Sequence, residues 1–385
     1  MSTPYQAYND GGLPSNAFQR LQETFTAHLE QSRGGMGFCA YRRGQPLVRL
    51  YGGSTARRDS PATKVMAPWG PETMAVLFSG TKGVAATVAA MLVDQGLLDV
   101  HHPVADYWPE FAAAGKGWVT VAQLLDHTVG LPYVDPEPAG EGADLDNAAN
   151  AAVLARQAPR WEPGSRVAYH AITFGYLLNE VFVRATGRSG GELIADLISR
   201  PLALDLHLGL PRELENRVAP VFRAEDYAIS TYLGDPERRK IVERMYGSFL
   251  LGETLRSNTV EMHRAEFLAG GAIATADSVA KLYSHIVAGD LISAPTLAEA
   301  TRTWSEGKDA VNDRPVRFGL GYELADPIGT YGPVTPAFGH SGAGGSLHGA
   351  WPGRDIGFSF LTNEMLAENR DTRAKDLLGV LATSL

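Results

Sequence analysis

The stretch that most constrains the fold is an apolar run near the end of the first quarter of the chain. Between Val84 and Val93 the only polar residue is Thr87. A helix over this run would be apolar on every side, so it has to lie inside the protein rather than on its surface. The sequence therefore predicts a buried helix that begins at Ser79 and ends at about Gln95.

A serine and a lysine stand at the start of this predicted helix. Ser79 and Lys82 are three residues apart, so their side chains lie on one helical face with Cβ atoms about 5–6 Å apart. Desolvation at the head of an apolar helix lowers the pKa of a lysine ammonium, and a neutral amine can take a proton from a serine hydroxyl. The pair is a candidate nucleophile and base. Gly80 and Gly83 add little bulk, which would let backbone or a substrate approach.

The S-x-x-K pattern is not specific by itself, because the chain contains two further copies, Ser278 to Lys281 and Ser305 to Lys308. The first copy is predicted to lie in a capped, amphipathic surface helix. The second is predicted to lie in a polar loop. Only Ser79 precedes a run that has to be buried, and this context selects it.

Length, charge and cysteine usage bound the class of protein. A chain of 385 residues predicts one large domain or two intimately packed domains. A net charge of −9 with no basic run argues against a nucleic-acid partner. The single cysteine, Cys39, excludes an internal disulfide, fits a reducing compartment and is expected in the core.

Targeting and cofactor signals are absent from the sequence pattern. The first ten residues show no signal peptide, and no segment approaches the 18 apolar residues of a membrane span. We therefore expect a cytoplasmic protein with no membrane partner. His101 and His102 are adjacent, but neighbours rarely ligate one ion and no carboxylate accompanies them. We predict no metal site and no cofactor, and the oligomeric state stays open.

The order of predicted elements places strands at both chain ends and helices between them. Helices are predicted over 15–31, 119–128, 144–157, 172–186, 275–287 and 370–383, and strands over 35–42, 46–52, 318–322, 337–341, 349–351 and 356–361. Residues 54–72 are expected to form a loop, and residues 223–265 to be helical and peripheral. This order predicts an α/β (α+β) fold with one antiparallel sheet domain made of residues 1–76 and 310–385. A mostly helical domain, 77–309, is inserted, with Ser79 at the cleft between the two.

Five motifs carry a resemblance to a known superfamily. They are Ser79-Gly-Thr-Lys82, Leu124-Leu-Asp-His127-Thr128-Val-Gly130-Leu131-Pro132, Trp161-Glu-Pro-Gly164 ahead of Tyr169, Leu268-Ala-Gly-Gly271, and Gly339-His340-Ser-Gly342 followed by Gly344-Gly345. Over roughly residues 15–385 the chain resembles the serine β-lactamase and penicillin-binding-protein superfamily. Within it, the chain is most similar to class C β-lactamases and family VIII carboxylesterases. The resemblance implies a β-lactamase-like fold.

The resemblance also implies roles for individual residues. Ser79 is similar in position to the acylated nucleophile, Lys82 to its base or proton relay, and Tyr169 to the tyrosine that moves a proton between the serine and the leaving group. Independently of the resemblance, a Ser–Lys pair needs a second titratable hydroxyl to protonate the leaving alcohol, because Lys82 cannot serve the nucleophile and the leaving group equally well.

The resemblance assigns the opposite wall of the cleft to residues 340–343. His340, Ser341 and Gly342 occupy the K-T-G strand of the superfamily and are expected to bind substrate. The backbone N–H groups of Ser79 and Ala343 would form an oxyanion hole, in which each donor is worth about 3–4 kcal/mol.

Two departures from the superfamily pattern bear on the substrate. Tyr169 is followed by His170 and Ala171, so the asparagine of Y-x-N is missing, and His340 replaces the lysine of K-T-G. The superfamily uses that asparagine to grip a β-lactam amide and that lysine to attract its carboxylate. Both losses favour neutral esters, although a protonated His340 could still give weak anion recognition.

The sequence thus predicts a serine hydrolase that cleaves small carboxylic esters through an acyl-enzyme, with short acyl chains expected from the resemblance alone. The alternatives are a β-lactamase or amidase, an acyltransferase, a sensor that is acylated without turnover, and an inactive binding module. Five aromatic residues are candidate pocket walls that core packing explains equally well: Tyr133, Trp161, Phe318, Tyr322 and Trp351. Ser189 fits the G-x-S-x-G pattern of α/β-hydrolases but follows a predicted helix, so it is interpreted as a helix N-cap.

Overall fold

The computed structural model describes residues 5–57, 67–140, 142–228, 235–252 and 254–385. Its main sheet has nine strands, all paired antiparallel, in the order β1-β3-β2-β13-β12-β11-β10-β9-β8. These strands are β1 (Tyr5–Tyr8), β2 (Gly35–Arg42), β3 (Gln45–Gly53), β8 (Ser305–Lys308), β9 (Pro315–Phe318), β10 (Glu323–Leu324), β11 (Phe338–Ser341), β12 (Leu347–Trp351) and β13 (Ile356–Thr362).

Two small sheets complete the strand inventory of the described residues. One is antiparallel, in the order β4 (Ala75–Val76), β7 (Ile273–Ala274) and β5 (Leu206–His207). The other pairs β6 (Phe222–Arg223) with β14 (Glu364–Met365) in parallel. The first of them matters for function, because β4 leads directly into the helix that carries Ser79 and Lys82.

Thirteen α-helices are found in the described residues. They are α1 (Ser15–Gln31), α2 (Gly80–Asp94), α3 (Val104–Tyr107), α4 (Val121–Leu125), α5 (Asn147–Arg156), α6 (Thr173–Thr186), α7 (Gly190–Ile194), α8 (Arg200–Leu202), α9 (Pro236–Leu250), α10 (Val260–Arg264), α11 (Ala276–Ala288), α12 (Ala294–Thr301) and α13 (Arg373–Ala382). None of the described helices is long and apolar enough to cross a membrane.

The two ends of the chain meet in the middle of the main sheet. Strand β2 lies beside β13, with Cys39 opposite Ser359. Successive side chains of a strand point to opposite faces, and here Phe38 packs with α1 and α13 while Cys39 packs with α11. The prediction of one antiparallel sheet built from both chain ends is confirmed, as is the buried position of Cys39. The domain limits at 76/77 and 309/310 stay a prediction.

The predicted buried helix is present as α2. Ser79 is its N-cap, and every residue from Gly80 to Leu92 is buried. The apolar run left this helix no face that could meet water, so it became the centre of the larger core cluster. The boundaries of α1 also agree with the prediction, and Ser189 is the N-cap of α7, with a capping box to Glu192.

Three local predictions were wrong or incomplete. Residues 318–322 were predicted as one strand, but the chain turns there with Gly321 at φ +80°. Ser305 to Lys308 is strand β8 rather than a polar loop. It is an edge strand whose last three residues are exposed, so its polar composition misled the prediction. Strand β1, the other edge, was not anticipated. Of the predicted loop 54–72, residues 58–66 lie outside the described residues.

Candidate active site

The nucleophile candidate follows a sharp turn between β4 and α2. Phe78 has φ +47°, a left-handed conformation that is unfavourable for a bulky residue. The turn is fixed by the N–H of Leu77, which donates to Ala272 O at 2.8 Å, and by the N–H of Gly80, which donates to Leu77 O at 3.0 Å. Ser79 is therefore held partly exposed at the head of a helix that is otherwise buried.

Lys82 is fully buried one turn further on and contacts three oxygen atoms. Its Nζ lies 3.2 Å from Ser79 Oγ, 2.8 Å from Ala171 O and 2.7 Å from Ala269 O. Burial lowers the pKa of the Lys82 ammonium to about 7, against the opposing charge of Glu323. Near pH 7 a substantial fraction of the molecules therefore carries a neutral amine at this position.

The three contacts decide where the lone pair of that neutral amine points. An amine has two N–H donors and one lone pair, whereas a carbonyl oxygen can only accept. Ala171 O and Ala269 O therefore take both N–H groups. The lone pair is left facing Ser79 Oγ, whose hydroxyl can donate. Lys82 is thus oriented as a base toward Ser79.

Gly80 and Gly83 make room for side chains rather than for substrate, contrary to one expectation from the sequence. A Cβ atom at Gly80 would lie 2.5 Å from the ring of His348, and one at Gly83 would lie 2.1 Å from the hydroxyl oxygen of Tyr283. Both distances are far below a van der Waals contact. The two glycines let these buried rings press against the first turns of α2.

Tyr169 reaches the same point from the segment before α6. Its N–H donates to the Asp309 carboxylate at 2.7 Å, and the Lys82 Nζ lies 4.9 Å from its ring centre. Burial raises the pKa of the Tyr169 phenol well above its ordinary value, and the nearby Tyr246 and Glu323 raise it further, whereas Ser79 and Arg314 lower it. The Tyr169 hydroxyl has no hydrogen-bond partner among the described residues, since its approach to Ser79 falls short of hydrogen-bond geometry. A neutral phenol of this kind can donate a hydrogen bond or a proton to a bound ligand.

Buried rings behind Tyr169 hold its position. The centre of the His127 ring lies 4.9 Å from that of Tyr169 and 4.6 Å from that of Phe318. His127 Nδ1 accepts a hydrogen bond from the N–H of His170 at 3.1 Å, and His170 Nε2 accepts one from the N–H of Leu131 at 2.9 Å. His170 directly precedes Ala171, which holds the asparagine position of Y-x-N. The His170 side chain stabilises the fold through these contacts and does not line the cavity beside Ser79.

The end of β11 forms the opposite wall, as expected for part of the 340–343 segment. Ser341, Gly342 and Ala343 line the same cavity as Ser79. A Cβ atom at Gly342 would lie 2.2 Å from Ser346 Oγ, so this position has no room for a side chain. The backbone N–H groups of Ser79 and Ala343 donate to no protein acceptor within the described residues.

His340 differs from the expectation that it meets substrate. Its side chain is fully buried and does not line the cavity. Its Nδ1 lies 2.8 Å from Ser341 O, and burial lowers its pKa to about 4 despite the charge of Glu323. The imidazole is therefore neutral at ordinary pH, and anion recognition by a protonated His340 is not supported.

The cavity has a volume of about 170 Å³, and several of the residues that line it were not predicted from the sequence. Segment 223–265, predicted to be peripheral, contributes Tyr246 and Leu250 of α9 as well as Tyr227 ahead of it; residues 229–234 lie outside the described chain. Arg314 and Glu323 also line the cavity. No spacing or motif singles out these residues, because only the folded chain brings their segments together.

Of the five aromatic candidates, only Phe318 lines this cavity. Tyr322 and Trp351 are core residues, Tyr133 lines a smaller neighbouring cavity, and Trp161 packs against a small core cluster. Within the described residues, no group of three or more histidine, cysteine, aspartate or glutamate side chains is arranged to hold a metal ion.

Comparison with known proteins gives a consistent result. Residues 17–382 match the family model described as Beta-lactamase. The chain is 31% identical over 351 residues to the esterase/beta-lactamase LipL of Mycobacterium tuberculosis (strain ATCC 25618 / H37Rv), covering 87% of this chain and 78% of that protein.

Two solved structures superpose on nearly the whole chain. A novel penicillin-binding protein homologue from Caulobacter crescentus has a TM-score of 0.86 and 33% identity, covering 99% of this chain and all 100% of its own. A family VIII carboxylesterase has a TM-score of 0.85 and 32% identity, with the same 99% and 100% coverage. The fold predicted from the motifs is confirmed.

Proposed function

This chain belongs to the beta-lactamase family, and we propose that it is a serine hydrolase that cleaves carboxylic esters through an acyl-enzyme. The observation that carries the proposal is the Lys82 amine, 3.2 Å from Ser79 Oγ with a pKa lowered to about 7. The pKa of a general base should lie near the working pH, and the base must be within reach of the proton that it removes. Lys82 meets both conditions.

In the acylation step, neutral Lys82 takes the hydroxyl proton of Ser79 as Oγ attacks the ester carbonyl carbon. A tetrahedral intermediate forms, and its negative oxygen is placed at the backbone N–H groups of Ser79 and Ala343, which have no protein acceptor in the described chain. Donors that are already oriented toward the developing charge stabilise it without reorganisation.

Collapse of this intermediate breaks the bond to the alcohol oxygen, and the leaving alkoxide needs a proton. Tyr169 supplies it, since its phenol is neutral, buried and without a protein partner. The tyrosinate then regains a proton from the Lys82 ammonium beside it. The serine proton has thus been passed to the alcohol product, and both residues return to their starting forms.

Deacylation repeats the same transfers with water in place of the alcohol. A water proton passes to Lys82 as the hydroxyl oxygen attacks the acyl carbon, and Ser79 Oγ leaves with a proton from Tyr169. The neutral Lys82 and Tyr169 of the resting enzyme suit both half-reactions, which favours turnover over a sensor that stays acylated.

Esters are preferred over β-lactams in this proposal because the two lactam-binding groups are lost. Ala171 stands at the position of the asparagine and has no polar side-chain atom, and His340 is buried and neutral. Neither can grip the amide or the carboxylate of a lactam. A β-lactamase is the second candidate, favoured by the 31% identical relative whose name includes both activities.

The test compares steady-state hydrolysis of p-nitrophenyl acetate and butyrate with that of a chromogenic cephalosporin. We expect ester turnover well above lactam turnover, a loss of about 10³-fold or more in Ser79→Ala and about 10²-fold in Tyr169→Phe. Ser278→Ala and Ser305→Ala, which alter the other two S-x-x-K copies, are matched controls and should stay active.

Each outcome has a definite meaning. Ester hydrolysis that survives Ser79→Ala would refute the nucleophile. Lactam turnover above ester turnover would replace the esterase by the β-lactamase. Preference for an added alcohol over water, measured as transfer product, would make the protein an acyltransferase with the same residues.

A further inference from the structure

The carboxylate of Glu323 lines the cavity beside Ser79, and one of its two oxygens has no hydrogen-bond donor among the described residues. Its side chain is only 12% exposed and lines the cavity together with Ser79. Oε2 accepts hydrogen bonds from the N–H of Ser341 and from the hydroxyl of Tyr331, both at 2.9 Å. No described residue donates a hydrogen bond to Oε1. One oxygen of a nearly buried carboxylate is therefore left for a ligand.

The carboxylate is ionised whenever esters can be assayed. Burial by itself raises the pKa of Glu323. The pKa is nevertheless lowered to about 2 by His340, which is protonated only at the acidic pH where Glu323 itself titrates, by the charge of Arg314 and by the hydrogen bonds from Ser341. A buried negative charge attracts a positive group more strongly than the same charge in water. The cavity thus contains a fixed anion beside the reacting serine.

Neither of the two cations that line the cavity, Arg314 and Lys375, forms an ion pair with Glu323, although the charge of Arg314 acts on it from a distance. Arg314 contacts Glu368 directly, and its Nη2 lies 3.8 Å from Asp326 Oδ2. Lys375 donates to Ile328 O at 3.3 Å. Within the described residues, no lysine or arginine nitrogen comes within 4 Å of the Glu323 carboxylate. Of the two other carboxylates in the cavity walls, Asp371 is paired with Arg373 at 2.6 Å and Glu368 is paired with Arg314.

Aromatic rings line the same cavity. Tyr169, Phe318, Tyr227 and Tyr246 all contribute to its walls. The faces of such rings attract cations, and quaternary ammonium groups are commonly bound by aromatic walls. The rings and the carboxylate favour the same kind of ligand for independent reasons.

We propose that the cavity beside Ser79 selects esters that carry a cationic group, with Glu323 as the specificity-determining residue that recognises the charge. The inference deepens the proposed ester hydrolysis and rests on it for turnover, but not for binding. It also gives a second reason why acidic substrates such as β-lactam carboxylates are disfavoured, because they bring a like charge to Glu323.

The test uses pairs of esters that differ only by a quaternary nitrogen in place of a carbon. Acetylcholine is compared with 3,3-dimethylbutyl acetate, and p-nitrophenyl 4-(trimethylammonio)butanoate with p-nitrophenyl 5,5-dimethylhexanoate. The first pair puts the charge in the alcohol and the second in the acyl group. We expect kcat/KM to favour the cation by about tenfold or more in at least one pair, and the ratio to fall to near one in Glu323→Gln.

The matched control is Glu306→Gln. Glu306 is an exposed carboxylate of β8 whose partner Arg317 lies 3.0 Å away, and it does not line the cavity. Its variant should keep the wild-type ratio. A wild-type ratio of one or below in both pairs, or an unchanged ratio in Glu323→Gln, would overturn the proposal.

Binding measured on the wild type keeps the test decisive if Glu323→Gln does not fold. In calorimetric titration, choline should bind about tenfold more tightly than its neutral isostere 3,3-dimethylbutanol. Equal affinities would refute charge recognition. Failure to hydrolyse any ester, cationic or neutral, would instead refute the proposed hydrolase, while the choline titration would still report on Glu323 recognition.

Discussion

Two buried lysines, Lys82 and Lys116, contact similar sets of oxygen atoms but differ in whether the neutral amine can be accommodated. Each is fully buried, and each Nζ has three oxygen neighbours. For Lys116 all three are backbone carbonyls, Ala113 O at 2.8 Å, Ala155 O at 2.9 Å and Gln157 O at 2.6 Å. For Lys82 one of the three is a hydroxyl oxygen, that of Ser79.

This single exchange changes which protonation state is satisfied. Three carbonyls require three N–H donors, so they are satisfied only by the ammonium form of Lys116. Two carbonyls and a hydroxyl are satisfied by either form of Lys82, because the hydroxyl can donate to the amine. A buried lysine is thus suited to act as a base when one neighbour can donate a hydrogen bond to its neutral amine. Burial alone is not sufficient.

Helix ends reinforce the difference. Lys82 lies in the first turn of α2, where the helix dipole is positive and disfavours an ammonium, whereas the Lys116 ammonium meets carbonyls at the C-terminal end of α5, where the dipole is negative. Burial lowers the pKa of Lys82 to about 7 and that of Lys116 to about 8.

The largest expected effect concerns activity. Lys82→Met should lower kcat/KM for p-nitrophenyl butyrate by about 10³-fold or more, because the base is removed, whereas Lys116→Met should stay within about threefold. Initial rates of the two folded variants measure this. A comparable loss in both would mean that burial rather than the serine contact distinguishes the catalytic lysine.

Stability should show the reverse order. Lys116→Met removes three hydrogen bonds, two to carbonyls at the end of α5 and one to Ala113 O, and we expect a loss of about 2–3 kcal/mol in the free energy of unfolding. Lys82→Met should lose about 1 kcal/mol or less, since removing a poorly solvated amine offsets the unpaired carbonyls. Urea unfolding at pH 7 tests this order, and a larger loss for Lys82→Met would contradict it.

The pH dependence of activity should follow the titration of Lys82 and not that of Lys116. Because the reacting form of Lys82 is the neutral amine and its pKa is about 7, kcat/KM should rise with pH. At pH 6 it should be about tenfold below its plateau. Lys116→Met should keep the same profile. A profile that is flat between pH 5 and 8 would remove Lys82 from the role of base.

The smallest effect lies in the pH dependence of stability. The folded-state pKa of Lys116 is about 8, below its ordinary 10.5, so the unfolded chain binds more protons between these values and stability rises with pH in that window. Relative to Lys116→Met, the wild type should gain about 1 kcal/mol from pH 8 to pH 10, after allowance for solvent screening near the surface. A relative loss over this range would contradict the lowered pKa.

The two lysines also show how far sequence could reach. Lys82 was recognisable because it precedes a run that has to be buried, and the order of predicted strands and helices indicated the sheet made from both chain ends. Lys116 stands between two glycines and looks like a surface residue. Two of its carbonyl partners are 39 and 41 residues away along the chain, and no local pattern announces contacts of that range.

The same limit applies to the cavity walls. Ser79 and Tyr169 lie in motifs, whereas Glu323 reaches the site only because β10 pairs with β11, and Tyr246 only because the folded chain brings α9 to the cavity wall. His340 shows the converse error, since its motif position was right but its side chain turned into the core. Motifs place backbone near a site, and packing then decides which side chains reach the substrate.

The burial of α2 on every side has a consequence for how this molecule can change over time. A substitution in that helix disturbs the core, and Gly80 and Gly83 cannot accept even a methyl group without displacing a ring. Tyr227 and Tyr246 belong to a separate segment that can vary while α2 stays fixed. In a randomised library, tolerated changes and new ester preferences should therefore concentrate in residues 223–250, and α2 should be inherited almost unaltered as the range of substrates diversifies.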